Sequence, residues 1–177
     1  MDEFDLKLLD ALQDDGRLTN NELADRIGLS ASQCSRRRAA LEKSGVIENY
    51  RAVLAAEALG LDVIVFIQVA LATHSPDSAQ DFVKLIASID EIQEAFAMTG
   101  EADYLVKMAL PDLKTLSHIL NNVFLPHRSV AHVHSSVVLD RVKQTTRLPL
   151  RYLAQPHAAR GARPRGPAKR EPSQRKA

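Results

Sequence analysis

The run Glu22-Leu-Ala-Asp-Arg-Ile-Gly-Leu-Ser-Ala-Ser-Gln-Cys-Ser-Arg-Arg-Arg38 decides the fold. Just before it, Thr19-Asn-Asn-Glu22 predicts a capping box, in which the Thr hydroxyl holds the third amide and the Glu reaches back. A short helix follows through Leu23, Ala24 and Ile27 and turns at Gly28. Ser30 is the natural cap of the next helix, which runs through Cys34, Arg38 and Leu41 to Gly45, a residue suited to a left-handed C-terminal cap. Ala24 is small where the two helices must approach, and Leu23, Ile27, Leu29, Cys34 and Leu41 are the predicted core. Ser32, Gln33, Ser35, Arg36 and Arg37 then face outward, a set able to hydrogen-bond base edges and phosphates in a major groove. Taken alone, a basic triplet is usually a solvated charge run. Here two capped helices, a Gly turn and a following hairpin surround it, and that combination points to a DNA-reading helix-turn-helix. Thr19 and Ser30 at the caps and Arg51 beyond the third helix complete the residues expected at DNA.

Working outward, Leu8, Leu9 and Leu12 lie on one face of a first helix that Gly16 stops. On the other side, Val46-Ile47 and Arg51 to Leu54 around Glu48-Asn49 read as a small hairpin. Residues 1–50 are therefore expected to form a winged helix-turn-helix, and 51–61 a linker strand and hinge. From 62 to 150 the pattern changes. Asp62 to Leu71 is apolar on both faces, as for a strand buried on two sides. Asp77 to Ile89 is an amphipathic helix after Ser75-Pro76. Strands Ile92 to Met98 and Ala102 to Leu110 meet at Thr99-Gly100-Glu101. A helix from Leu113 to Phe124 and a strand from Val130 to Leu139 complete the order βαββαβ, the ferredoxin-like arrangement. The expected class is α+β, with one sheet face under two helices and the other needing a partner.

The net charge of +1 hides an asymmetry. Residues 151–177 carry eight Lys/Arg and one Glu, a net of +7, and read as a disordered basic tail expected to add non-specific DNA affinity. Residues 1–150 are left with −6, so DNA binding there needs a local basic stripe. No apolar run approaches the roughly 20 residues that span a bilayer, and the acidic start Met1-Asp-Glu-Phe-Asp5 is unlike an export signal. One cysteine, Cys34, forms no internal disulfide. A cytoplasmic protein without a membrane partner is expected.

Asp5-x-x-Leu-Leu-x-x-Leu-Gln-x-Asp-Gly-Arg, the Glu-Leu-Ala-x-Arg-Ile-Gly-Leu-Ser run, Leu41-Glu42 with Gly45-Val-Ile47, and Tyr50-Arg-Ala-Val-Leu54 together resemble the Lrp/AsnC family of prokaryotic transcription regulators. Gly100-Glu-Ala-Asp-Tyr104 resembles the family's Gly-Asp-x-Asp-Tyr loop. The resemblance covers about residues 4–148. It implies a ferredoxin-like ligand-sensing (RAM) domain whose free sheet face pairs with another subunit, dimers that assemble further to octamers, and an amino-acid effector bound between subunits. It makes Thr99, Gly100, Glu101, Asp103 and Tyr104 the effector loop, with Ser136 and Val138 on the last strand as further candidates. Arg38 departs from the family, which carries an apolar residue there; its stem is expected to pack while its head reaches water. Glu101 replaces the family's usual first Asp.

Without the resemblance, Thr99 to Tyr104 reads as a hairpin turn with Gly supplying positive φ. His132 and His134 share a strand face, yet no third ligand is evident, so no metal site is expected. No other cofactor is expected, and no catalytic residues: Cys34 lacks a histidine partner, and no phosphate-cradling loop or acid/base pair stands out. Two rival functions share the DNA-reading or sensing residues: an architectural DNA-bridging protein without an effector, and an amino-acid-binding regulatory subunit of an enzyme.

Overall fold

A computed structural model describes residues 1–153; the basic tail beyond lies outside the described residues. The chain divides into two compact units, residues 1–51 with residues 145–153, and residues 52–144.

The first unit holds three helices, α1 (Glu3–Asp14), α2 (Asn20–Ile27) and α3 (Ala31–Lys43). The expected Thr19–Glu22 capping box forms, and the expected Ser30 cap is completed by Gln33 into a second box. Asp2 and Asp5 make a third at α1, which the sequence reading overlooked. Leu8, Leu9, Leu12, Leu23, Ile27, Cys34 and Leu41 form the buried core, joined by Leu18 from the α1–α2 connection. Gly28 ends α2 at φ +74°. An added Cβ there would meet no atom within 4 Å, so only the backbone conformation resists a side chain. Gly28→Ala should therefore lower unfolding stability by about 1–2 kcal/mol, the cost of a left-handed non-glycine residue, in urea titration of the intact protein.

The wing hairpin expected at 46–54 is not formed within the chain, and residues 51–61 hold no linker strand. The amides of Val46 and Ile47 both donate to the Leu41 carbonyl, at 3.0 and 3.2 Å, and so close the end of α3 instead of entering a ladder. Residues 57–59 make one 3-10 turn, while Val53 and Leu54 stay exposed.

The second unit follows the expected order. Its elements are β1 (Val63–Leu71), α4 (Pro76–Ala87), β2 (Ile92–Ala97), β3 (Tyr104–Leu110), α5 (Leu113–Ile119), continued as one π-helical turn to Phe124, and β4 (Val130–Val137). The strands pair antiparallel in the order β2-β3-β1-β4, the ferredoxin-like sequence. Val65, Ile67, Val69 and Leu71 of β1 pack with Phe82, Val106, Met108, Leu110, Leu116, Ile119 and Phe124. Two-sided burial of β1 is not found. Ile64, Phe66 and Ala70 are half-buried and Gln68 is exposed, because both helices supply their apolar residues to the opposite face.

Candidate nucleic-acid interface and ligand loop

The three arginines of α3 have three different fates. Arg36 is exposed and has no ion pair among the described residues. Arg37, expected to project outward, is only half-exposed. Its Nη1 donates to Asp2 at 2.9 Å and to Asp5 at 2.6 Å, and its guanidinium lies over the Phe4 ring. The same Asp2 and Asp5 side chains form the α1 capping box, so α1 begins on the arginine that anchors it to α3. The Asp5 amide and Arg37 together hold the Asp2 carboxyl below its usual range. Arg38 does not send its head into water. Nη1 donates to the Leu18 carbonyl at 2.9 Å, Nε donates to the Tyr50 hydroxyl at 2.9 Å, and the guanidinium stacks over the Tyr50 ring. A carbonyl, a phenol and an aromatic face satisfy the planar fork where simple burial would have cost several kcal/mol.

The polar residues expected at DNA are partly committed as well. The Thr19 hydroxyl accepts from the Glu22 amide and donates to Glu22 Oε2, and Ser30 does the same with Gln33. Gln33 thereby commits its carbonyl oxygen to the cap, and its Nε2 has no partner among the described residues. Ser32, Ser35 and Arg51 are exposed. The outward surface of α3 is thus Ser32, Gln33 Nε2, Ser35 and Arg36. Cys34 is fully buried and its burial raises the thiol pKa, which suits packing and not nucleophilic chemistry.

In the second unit, Thr99, Gly100 and Glu101 are exposed at the β2–β3 turn, with Gly100 at φ +120° as that turn requires. The Met98 amide closes the turn by donating to the Asp103 carbonyl at 2.8 Å. Asp103 ties the turn to the end of β1. Its amide donates to the Val69 carbonyl at 2.9 Å, and its Oδ2 accepts the Leu71 amide at 2.7 Å, just where the β1–β4 register shifts between Ala70 and Leu71. Its Oδ1 lies 3.3 Å from Nδ1 of the exposed His74, a neighbour the sequence reading missed because it follows a different strand. The Tyr104 ring packs against Phe82, centroids 4.8 Å apart, so it belongs to the core edge as much as to the loop.

Ser136 and Val138 are not brought to this loop within the chain. Ser136 is opposite Phe66 and the Val138 amide donates to Ile64, whereas Tyr104 enters the sheet opposite Val69. Three or more strand residues separate them, roughly 10 Å or more at about 3.3 Å each. His132 and His134 do share a face, opposite Ala70 and Gln68. Among the described residues no group of three His, Cys, Asp or Glu is placed to hold a metal, and no helix is long and apolar enough to cross a membrane.

Residues 1–48 match the model of a winged helix-turn-helix DNA-binding domain, and residues 64–148 that of the Lrp/AsnC ligand binding domain. The leucine-responsive regulatory protein of Escherichia coli is 35% identical over 148 residues, covering 84% of this chain and 90% of that protein. This chain belongs to the Lrp/AsnC family. A transcriptional regulator from Neisseria meningitidis, solved as its complex with L-methionine, superimposes with a TM-score of 0.84 at 39% identity, covering 86% of this chain and 99% of that one. An AsnC family regulator from Agrobacterium tumefaciens gives 0.81 at 31% identity, with the same coverage. The protein is accordingly an Lrp/AsnC transcription regulator with a DNA-binding helix-turn-helix and a ligand-binding domain. The Arg38 head is held by Leu18 and Tyr50, while Glu101 in the loop stands exposed.

Proposed function

We propose that this regulator is cytoplasmic, reads double-stranded DNA through the outward face of α3, and changes its DNA binding when an amino acid occupies the Thr99–Tyr104 loop. The observation that carries the reading is the Asp103 carboxylate. One oxygen is spent on the Leu71 amide, which fixes the group in space, and the other points to His74, a position from which it can accept from an α-ammonium. Exposed backbone at Thr99 and Gly100 supplies donors for a carboxylate. The Neisseria relative's complex with L-methionine supports an amino acid as the ligand class. Ser136 and Val138 join such a site only from another subunit, consistent with a ligand held between copies of the chain in a dimer that assembles further, to an octamer. On the DNA side, Ser32, Gln33, Ser35 and Arg36 read or position, Thr19, Ser30 and Arg51 flank them, and Arg37 acts by holding α3 to α1. No catalytic role is assigned to any residue.

The test is a thermal-shift screen of the twenty amino acids. A ligand at 100 times its Kd stabilises the folded state by about 2.7 kcal/mol, enough for a shift of several degrees. One or a few positives that also change operator affinity are the expected result. No positive, with DNA binding intact, would leave an architectural DNA-binding protein. A positive without DNA binding would leave the regulatory-subunit reading.

A further inference from the structure

The chain returns to its DNA-binding unit after the ligand-binding domain. Residues 145–153 group with residues 1–51, across a sequence separation of more than 130 residues. The contact falls on the outward face of α1. Arg147 pairs with Asp10 at 2.6 Å and also with Asp14, one helical turn further on. Between those acids, the Gln13 side chain makes a reciprocal pair with the Leu148 backbone, its Oε1 accepting from the amide at 2.6 Å and its Nε2 donating to the carbonyl at 3.3 Å. Two residues later Leu150 packs against the Leu8–Leu12 core and opens a 3-10 turn to Tyr152.

These contacts are complementary in kind. Exposed ion pairs contribute little, about 0–1 kcal/mol each, so Arg147 sets register more than strength. Gln13 pairs with both backbone polar groups of one residue, as a neighbouring strand would. Leu150 adds apolar burial. Asp10, Gln13 and Asp14 occupy one stripe of α1 at the spacing of three and four residues, matched to a segment reading Arg-Leu-x-Leu.

We propose that this stripe of α1 is a docking surface for the chain's own segment 145–153, and that docking gives the DNA-binding unit a second tether. The chain passes into the ligand-binding unit at Ala52 and leaves it at Gln144, so a docked segment joins the units by two connections where an undocked one leaves a single linker. Two connections restrict the orientations open to each helix-turn-helix. In an assembly that places two of them on one duplex, this raises the effective concentration of the second for its half-site. The inference rests on the DNA-binding assignment and is independent of the effector.

The test uses full-length protein, hydrogen exchange and operator binding. Gln13→Ala with Leu150→Ser changes no charge, and should lower amide protection in residues 148–153 at least about tenfold. Operator affinity should fall about tenfold with an unchanged salt slope, whereas loss of a phosphate contact would reduce that slope by about one. Arg147→Asp alone, which replaces two attractions by repulsion from Asp10 and Asp14, should have a similar effect, and Asp10→Arg with Arg147→Asp, which restores the pair with residue 10 and the net charge, should recover protection and affinity. This pair guards against the first variant acting through the core. Unchanged protection in Arg147→Asp, or no recovery in the charge-exchanged protein, overturns the docking. Lost protection with wild-type operator affinity overturns the second tether. Wild-type protein that binds no DNA would sink the DNA-binding assignment and the tether together, while exchange protection still reports the docking.

Discussion

Asp103→Ala will lose the response to the amino-acid effector and will also melt earlier, whereas Asp103→Asn will lose mainly the response. Two oxygens of one carboxylate have two tasks. Oδ2 accepts the Leu71 amide at 2.7 Å, at a residue that is nearly buried. Truncation to Ala leaves that donor without a partner, at a cost of about 1–3 kcal/mol in stability. Oδ1, beside His74, is the atom available to an α-ammonium. A charge-assisted hydrogen bond is worth about 1.5–3 kcal/mol, so effector affinity should fall roughly 10- to 150-fold in either variant. Asn retains an acceptor for Leu71 and removes the negative charge, so it separates the tasks. Calorimetric titration with the effector, a melting curve and a DNA mobility assay read them independently. Effector-free DNA binding should survive, because the helix-turn-helix belongs to the other unit. Wild-type effector affinity in both variants would show that the sensing site lies elsewhere.

Arg36→Ala and Arg37→Ala will weaken DNA binding by different routes. Arg36 stands exposed on the outward surface of α3, and its loss should cost about 1–3 kcal/mol of operator affinity, some 5- to 150-fold, with unchanged melting. Relaxed specificity at one base position would identify a base contact, and a salt slope reduced by about one a phosphate contact. Arg37 is bound to Asp2 and Asp5, so its removal frees the start of α1 and lowers stability by about 1 kcal/mol. The affinity loss in Arg37→Ala should be smaller, with the salt slope unchanged. A reduced slope in Arg37→Ala with wild-type melting would mean that DNA draws this arginine away from its acids. Equal affinity of Arg36→Ala and wild type would remove the recognition-surface assignment.

The helix-turn-helix was legible because its signals are local. A capping box spans four residues, and Gly28 and Gly45 announce their left-handed conformations within a turn of the helices they end. The βαββαβ order was legible for a similar reason, since each element is long enough for its period to show. The hairpin at 46–54 misled: two strand-forming stretches flank Glu48-Asn49, yet Val46 and Ile47 spend their amides on Leu41. Nor was the apolar character of β1 on both faces a guide to burial within one chain. It records what each face tolerates, and only the placement of both helices shows which one the chain itself covers.

Sequence by itself determined the two-part organisation, the caps of α2 and α3, the strand order and the family, all of which follow from short-range patterns or from motifs at a fixed separation. Tertiary structure alone decided which of three adjacent arginines stays on the surface. It set the register that parts Ser136 from the Thr99–Tyr104 loop, placed His74 beside Asp103, and returned Arg147 to Asp10 and Asp14. The physical reason is common to all four. Helical periodicity places Arg37 and Arg38 on a face but does not name the acid, carbonyl or aromatic ring waiting there, and that partner arrives from a distant part of the chain when the cores close.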